Sequence, residues 1–158
     1  MPESSGILKR VGEILSIRGD RVGAARRIAA AIREAGGYRW VGLYDVTPEE
    51  IGVVAGSGPS APAVPRFPAS QGLCGASVRS GTTVVVGDVT QDPRYLTTLG
   101  TTRSEIVVPV LDPERRQVVG LLDVESDLPD AFGAEDQGRL EACAAALAYA
   151  RFFGSSSA

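Results

Sequence analysis

The chain has 158 residues, a hydrophobic content of 44%, a charged content of 22% and a formal net charge of −3. These values are typical of a globular protein with one substantial core. The slightly acidic balance argues against a nucleic-acid-binding surface, which needs a concentrated basic patch. No apolar run is long enough to cross a bilayer, and the N-terminus lacks the pattern of a secretory signal. We therefore expect a cytoplasmic protein with no membrane or nucleic-acid partner.

The chain contains two cysteines, Cys74 and Cys143, and no histidine. Two cysteines do not make a disulfide framework. The lack of histidine excludes Ser-His-Asp and Cys-His catalytic pairs and any histidine-ligated metal site. We expect no metal and no other cofactor, so any chemistry must rest on a thiol, a carboxylate or a hydroxyl group.

Two helices are predicted at the N-terminal end. Apolar residues recur at helical spacing from Ile7 to Leu15, after serines that are candidate caps. A second helix is predicted from about Asp20, and the "AGG" at 35–37 is a typical helix end. The predicted buried stripe of the second helix consists of Val22, Ala25, Ile28 and Ile32.

Strands dominate the middle of the chain. "YRWVGLYDV" and "IGVVAGSG", joined by a turn, indicate a hairpin, and the proline-rich residues 59–68 indicate an irregular loop. A short helix is predicted from Gly72 to Gly81. "TTVVVGDV", "EIVVPVL" and "VVGLLDVES" follow as strands, and a last helix is predicted over 134–153.

This order of elements predicts an α+β sandwich. Hairpin connections favour an antiparallel sheet, with the N- and C-terminal helices on one face. The opposite face is then the expected place for a ligand pocket. We expect a single domain over residues 1–153 and a frayed tail at 154–158.

Carboxylates and aromatic residues are predicted to converge on that opposite face. Strand alternation puts Trp40 and Tyr44 on one side of their strand, and Asp123 and Glu125 on one side of theirs. Glu105 begins a neighbouring strand. Taken singly, each has an ordinary structural explanation as core or strand end. Together they indicate a site for a cation or an ammonium group, because clustered carboxylates repel each other and an aromatic ring adds a cation–π contact.

Cys74, in "GLCG", has two explanations. A cysteine near a helix start can be a reactive thiol, or it can be a small buried hydrophobic residue. The structural explanation is favoured, because no histidine or lysine is near in sequence. Cys143 lies among apolar helix residues and is interpreted as packing.

The blocks "WVGLY", "GLCG", "SEIVVP" and "LLDVES", in this order, resemble a GAF domain and, within that family, the free methionine-(R)-sulfoxide reductases. The resemblance implies a six-stranded antiparallel sheet, a pocket for a free amino acid and a homodimer formed through the helices. It implies that Trp40 and Tyr44 form an aromatic wall, and that Glu105, Asp123 and Glu125 form an acidic cluster facing the ligand's ammonium group. Glu125 is longer than the aspartate usual at its position.

The same resemblance implies that two of three redox cysteines are replaced. Cys74 matches one of them, whereas the attacking cysteine would fall at Thr98 and the third at Val64. In the reductases a thiol attacks the sulfoxide sulfur and becomes a sulfenic acid. A threonine hydroxyl takes no part in thiol–disulfide exchange.

Three hypotheses follow from these observations. The first is a non-catalytic ligand-binding domain for a zwitterionic or cationic metabolite, signalling to a separate output protein; a deep pocket with no room for an amino acid would contradict it. The second is a free methionine-(R)-sulfoxide reductase that works through Cys74 and an external thiol. The third is a structural dimerisation module with a vestigial pocket.

Overall fold

The structure is a computed structural model that describes residues 2–96 and 100–153, with side chains from residue 6 onwards. The predicted tail at 154–158 lies outside the described residues. The elements in chain order are α1 Pro2–Ser16, α2 Arg21–Gly36, β1 Trp40–Val46, β2 Glu50–Ser57, β3 Arg66–Pro68, α3 Gly72–Ser80, β4 Val84–Val86, a single 3₁₀ turn Val89–Gln91, β5 Ser104–Leu111, β6 Val118–Ser126 and α4 Ala134–Tyr149.

The six strands form one antiparallel sheet in the order β3-β2-β1-β6-β5-β4. The predicted α+β class and the β1–β2 hairpin are both confirmed. The long strands β1, β5 and β6 lie in the interior of the sheet, and the three-residue strands β3 and β4 form its edges. None of the helices in the described residues is both long enough and apolar enough to span a membrane.

Local signals fix the ends of α2. The Asp20 side chain accepts a hydrogen bond from Gly23 N at 2.8 Å, which satisfies one free donor of the first turn. Gly37 ends the helix with φ +66°, a left-handed conformation that favours glycine. Helix α1, in contrast, already begins at Pro2, so the serines at 4 and 5 lie inside it and the prediction that they cap it was wrong.

The sheet separates two hydrophobic clusters. Helices α1, α2 and α4 cover one face, where their apolar residues pack against alternate strand residues such as Leu43, Ile106 and Leu122; this is the helix-side cluster, or helix-side core. On the other face lies the site-side cluster, in which residues of α3 pack on residues such as Val107 and Leu121. Because strand side chains alternate, each central strand contributes to both clusters.

Two boundaries differ from the sequence prediction. Residues 66–68, predicted as loop, form the edge strand β3 opposite Glu50–Gly52; proline is tolerated at a sheet edge, where an N–H donor is dispensable. Helix α4 ends at Tyr149 instead of 153. The chain turns back there, and the Phe153 ring covers Gly120, where a Cβ atom would lie only 2.5 Å from that ring.

The predicted stripe of α2 is also corrected at one position. Ala25, Ile28 and Ile32 are fully buried, whereas Val22 in the first turn is 44% exposed. Val22 lies before the part of the helix that packs against the other helices and the sheet, so helical spacing alone does not bury it.

This difference gives the first prediction. Ile28→Ala should lower the free energy of unfolding by about 2–5 kcal/mol, because it leaves a cavity in the helix-side core. Val22→Ala, a matched control on the same helix, should change it by about 0.5 kcal/mol or less. Urea denaturation of both variants measures the two values. Equal losses would contradict the burial described for α2.

Candidate functional site

Alternate residues of three neighbouring strands meet on the sheet face opposite the three long helices. In the β1–β6 register Trp40 lies opposite Glu125, and in the β5–β6 register Glu105 also lies opposite Glu125. Asp123 is two residues before Glu125 and therefore shares its face. All of these side chains are buried, and so is Tyr44. The structure thus brings the five sequence-predicted ligand-binding residues to one sheet face.

Glycines make room for the Trp40 indole. A Cβ atom on Gly42 would lie 3.0 Å from Trp40 Nε1, one on Gly56 would lie 2.3 Å from Trp40 Cη2, and one on Gly58 would lie 2.8 Å from Trp40 Cε3. The indole therefore lies against a strip of bare backbone on β1 and the end of β2. Its Nε1 atom is buried and makes no hydrogen bond of good geometry to a described residue, but the indole lies close enough to Asp123 to lower the pKa of that carboxyl group.

Tyr44 and Phe67 form the aromatic part of the wall. Their ring centroids are 6.4 Å apart in an edge-on arrangement, a favourable geometry for two aromatic rings. Phe67 lies on β3, the strand that the sequence did not predict, so its place at the site was missed as well. A bulge between Leu43 and Tyr44, where β2 carries an extra residue, lies beside this pair.

Helix α3 and Leu96 cover the site on the side that faces away from the sheet. Gly72 has φ +74°, and a Cβ atom there would lie 3.2 Å from Leu96 Cβ, so the glycine allows Leu96 to lie close to the start of the helix. Cys74, on the first turn of α3, faces the same space. The cavity between the acids, Cys74 and Leu96 has a volume of about 20 Å³, which is room for about one water molecule.

The carboxyl groups strongly affect each other's ionisation. Burial and the neighbouring negative charge of Glu125 raise the pKa of Glu105 to about 8. Burial and the charge of Glu105 raise the pKa of Asp123 well above its usual range. None of the ion pairs formed between described residues includes Glu105 or Asp123. Without a bound cation, this cluster is therefore partly protonated at neutral pH.

Thr102 is a site residue that the strand-face argument did not identify. Its Oγ1 atom donates a hydrogen bond of 2.6 Å to Glu125 Oε1, and both residues are buried. Next to it, Thr101 Oγ1 accepts a hydrogen bond of 3.1 Å from Arg39. The sequence feature that could have identified Thr102 is the pair of consecutive threonines just before the strand that carries Glu105. Thr102 attaches the end of the preceding loop to the acidic cluster, and Thr101 attaches it to Arg39.

The two cysteines lie in different parts of the core. Cys74 belongs to the site-side cluster and Cys143 to the helix-side cluster, so the sheet separates them. Burial, and then the negative charge of Asp123, raise the pKa of the Cys74 thiol, which makes it a poor nucleophile at neutral pH. Val64 is partly buried against the site-side cluster. Thr98 lies outside the described residues.

Comparison with known proteins identifies the family. The model of the GAF domain family matches residues 20–150. The chain belongs to the GAF domain family. Free methionine-R-sulfoxide reductase from Neisseria meningitidis, solved with its substrate, is 31% identical, with 93% of this chain and 89% of that chain covered and a TM-score of 0.80. Free methionine-R-sulfoxide reductase from Escherichia coli is 28% identical over 73% of this chain and 72% of its own.

A third relative extends the comparison to sensor proteins. A chain described as a GAF sensor protein, from Burkholderia vietnamiensis, has a TM-score of 0.83 and 24% identity, covering 93% of this chain and 92% of its own. At that identity the likeness concerns the fold alone. This GAF domain therefore shares its scaffold with reductases and with sensors, and the scaffold does not decide between them.

Glu105 gives a pH prediction. Its folded pKa of about 8 exceeds its unfolded value, so the native state binds more protons than the unfolded state between about pH 4.5 and 8. The free energy of unfolding should therefore fall as pH rises through this range, by up to about 1.4 kcal/mol per pH unit. Glu105→Gln should flatten this slope.

Chemical denaturation at pH 5, 6.5 and 8 measures the dependence. Glu49→Gln, which removes an exposed carboxylate in the turn before β2, is the matched control and should keep the wild-type slope. An unchanged slope in Glu105→Gln would show that this carboxyl does not titrate as described.

The glycine strip gives a further prediction. Gly42→Ala should displace the Trp40 and Tyr44 rings and lower the free energy of unfolding by about 1–3 kcal/mol, a usual cost of overpacking. Trp40 is the only tryptophan, so its fluorescence reports the displacement directly. Gly12→Ala in α1, where nothing lies within 4 Å, should instead stabilise the protein by about 0.5–1 kcal/mol. Wild-type fluorescence and stability in Gly42→Ala would rule out the close approach.

Proposed function

We propose that this GAF domain is a non-catalytic binding domain for a small zwitterionic or cationic metabolite whose ammonium group lies against Glu105 and Asp123. The observation that carries the proposal is the burial of Glu105 and Asp123, neither of which is in an ion pair between described residues. Burying carboxyl groups together costs free energy, and a cationic ligand would recover much of that cost. Signalling through a separate output protein and assembly as a homodimer belong to the same proposal.

The aromatic residues indicate the rest of the ligand. Tyr44 and Phe67 line the cavity and offer an apolar wall to a short side chain. Trp40 is not among the described residues that line the cavity; its indole lies beside Asp123 and favours the charged form of that carboxyl group. An ammonium group and a short apolar chain describe a small amino acid or a close derivative.

The size of the cavity limits this proposal. A volume of about 20 Å³ is far below the ~300–1,000 Å³ of usual ligand pockets, and it counts against an amino acid in the closed arrangement. Leu96 is the obstacle, because its side chain covers the site at Gly72. Binding therefore requires Leu96 to move away from the start of α3.

The catalytic alternative is reduction of free methionine-(R)-sulfoxide by Cys74 with an external thiol. Cys74 does face the cavity, which favours this alternative. The raised pKa of the Cys74 thiol counts against it, because attack on the sulfoxide needs a thiolate. Non-catalytic binding is therefore the better-supported function.

The binding test uses Trp40 fluorescence and ligand-observed proton NMR with free methionine and its R-sulfoxide, in EDTA. Saturable binding is expected, and Leu96→Ala should bind more tightly because it uncovers the cavity. Asp123→Asn should weaken binding about 10–100-fold, since hydrogen bonds to charged groups contribute about 1.5–3 kcal/mol. Glu49→Gln is the control. No binding of either compound at millimolar concentration, by wild type or by Leu96→Ala, would refute the proposal for these ligands.

The catalytic arm is a proton NMR time course of free methionine-(R)-sulfoxide with the protein and excess dithiothreitol. No methionine should form above a protein-free control. Catalytic growth of methionine signals, abolished in Cys74→Ser and retained in Cys143→Ser, would establish the reductase alternative instead.

A further inference from the structure

The thiol of Cys74 lies beside two of the carboxyl groups. The Cys74 Sγ atom and one oxygen each of Glu105 and Asp123 all lie within 4.8 Å of one another, and all three residues are buried. Three distant stretches of sequence supply them: the first turn of α3, the start of β5 and the middle of β6. The sequence excluded histidine-ligated sites, and no metal was expected, but it did not reveal this mixed group, which forms only when α3 packs over β5 and β6.

One oxygen atom of Asp123, a residue that lines the same cavity, lacks a hydrogen-bond partner among the described residues. Asp123 is 2% exposed, lines the cavity, and its Oδ1 atom makes no hydrogen bond to any described residue. A buried carboxylate oxygen without a partner is rare in native proteins and usually marks an ion or an ordered water. Glu105, Glu125 and Trp40 also interact with the Asp123 side chain, but its Oδ1 atom has no hydrogen-bond donor among the described residues and is available to coordinate an ion.

The size of the cavity favours a single ion over a larger ligand. About 20 Å³ accommodates one water molecule or one metal ion without moving Leu96. In a tetrahedral Zn²⁺ site the ligand atoms lie about 3.3–3.8 Å apart, because Zn–O and Zn–S bonds are about 2.0–2.3 Å. The three ligand atoms, which lie within 4.8 Å of one another, therefore have to move closer together when the ion binds.

We infer that Cys74, Glu105 and Asp123 form a binding site for a divalent transition-metal ion of the Zn²⁺ class. One sulfur and two oxygen ligands suit Zn²⁺ or Co²⁺, whereas Mg²⁺ and Ca²⁺ prefer six or more oxygen ligands. Binding converts the thiol to a thiolate, releases its proton to solvent and transfers no electrons. The metal site does not rest on the proposed function and can be tested separately. A metal ion and an ammonium ligand would compete for the same carboxylates.

The test is a Co²⁺ titration of the full-length, EDTA-treated and desalted protein under a non-chelating reductant. One equivalent of Co²⁺ should produce the intense near-ultraviolet charge-transfer band of a thiolate–cobalt bond, and Zn²⁺ should displace it. Absence of stoichiometric binding at micromolar concentration, or binding without that band, would overturn the site whatever the variants do.

The variants identify the ligands. Cys74→Ser should abolish the charge-transfer band, and Asp123→Asn should weaken Co²⁺ binding by more than about tenfold, since even residues that only support a ligand contribute 10–100-fold. Cys143→Ser, the control at the other buried cysteine, should keep the band and the affinity. Loss of the band in Cys143→Ser but not in Cys74→Ser would overturn the assignment. Amino-acid binding in EDTA without any Co²⁺ binding would refute the metal site and leave the proposed function standing.

Discussion

The burial of several carboxyl groups on one face of a central sheet is the constraint on which the rest of the structure depends. Glu105 and Asp123 lie in the interior strands β5 and β6, shielded from water and outside the described ion pairs. Such an arrangement costs free energy unless the groups are protonated or a cation neutralises them. It is therefore difficult to explain by stability and easier to explain by binding.

The helix-side core stabilises the fold that carries this cost. Aliphatic residues of α1, α2 and α4 pack on alternate residues of β1, β5 and β6, and the same strands are joined by antiparallel ladders along their length. The two faces of the sheet thus have different roles. One supplies the hydrophobic stabilisation, and the other holds polar groups in fixed positions, which a binding site requires.

Cys74 illustrates how the surroundings decide the chemistry of a residue. Near a cationic group, a thiol at the first turn of a helix would be activated; here burial, and then the charges of the nearby acids, raise the pKa of the Cys74 thiol. The same acids make the thiol a suitable partner in metal coordination, because an ion neutralises carboxylates and displaces the thiol proton together. This fold is shared with a free methionine-R-sulfoxide reductase and with a chain described as a GAF sensor protein, so the function has to be argued from the site and not from the fold.

The sequence by itself determined the α+β class, most of the elements and the side of the sheet on which Trp40, Tyr44 and Asp123 lie, because period-two alternation and turn residues are local signals. Only the tertiary structure decided the edge strand at Arg66–Pro68 and the exposure of Val22, since both depend on what packs alongside.

The tertiary structure also decided the details of the site. Phe67, Thr102 and Cys74 come from an edge strand, a loop end and a helix that are far apart in the chain, so no spacing pattern relates them to Glu105 or Glu125. The small cavity under Leu96 is likewise a product of packing between separate elements. Sequence periodicity assigns a residue to a face, but the distances between residues of different elements are set only when those elements pack together.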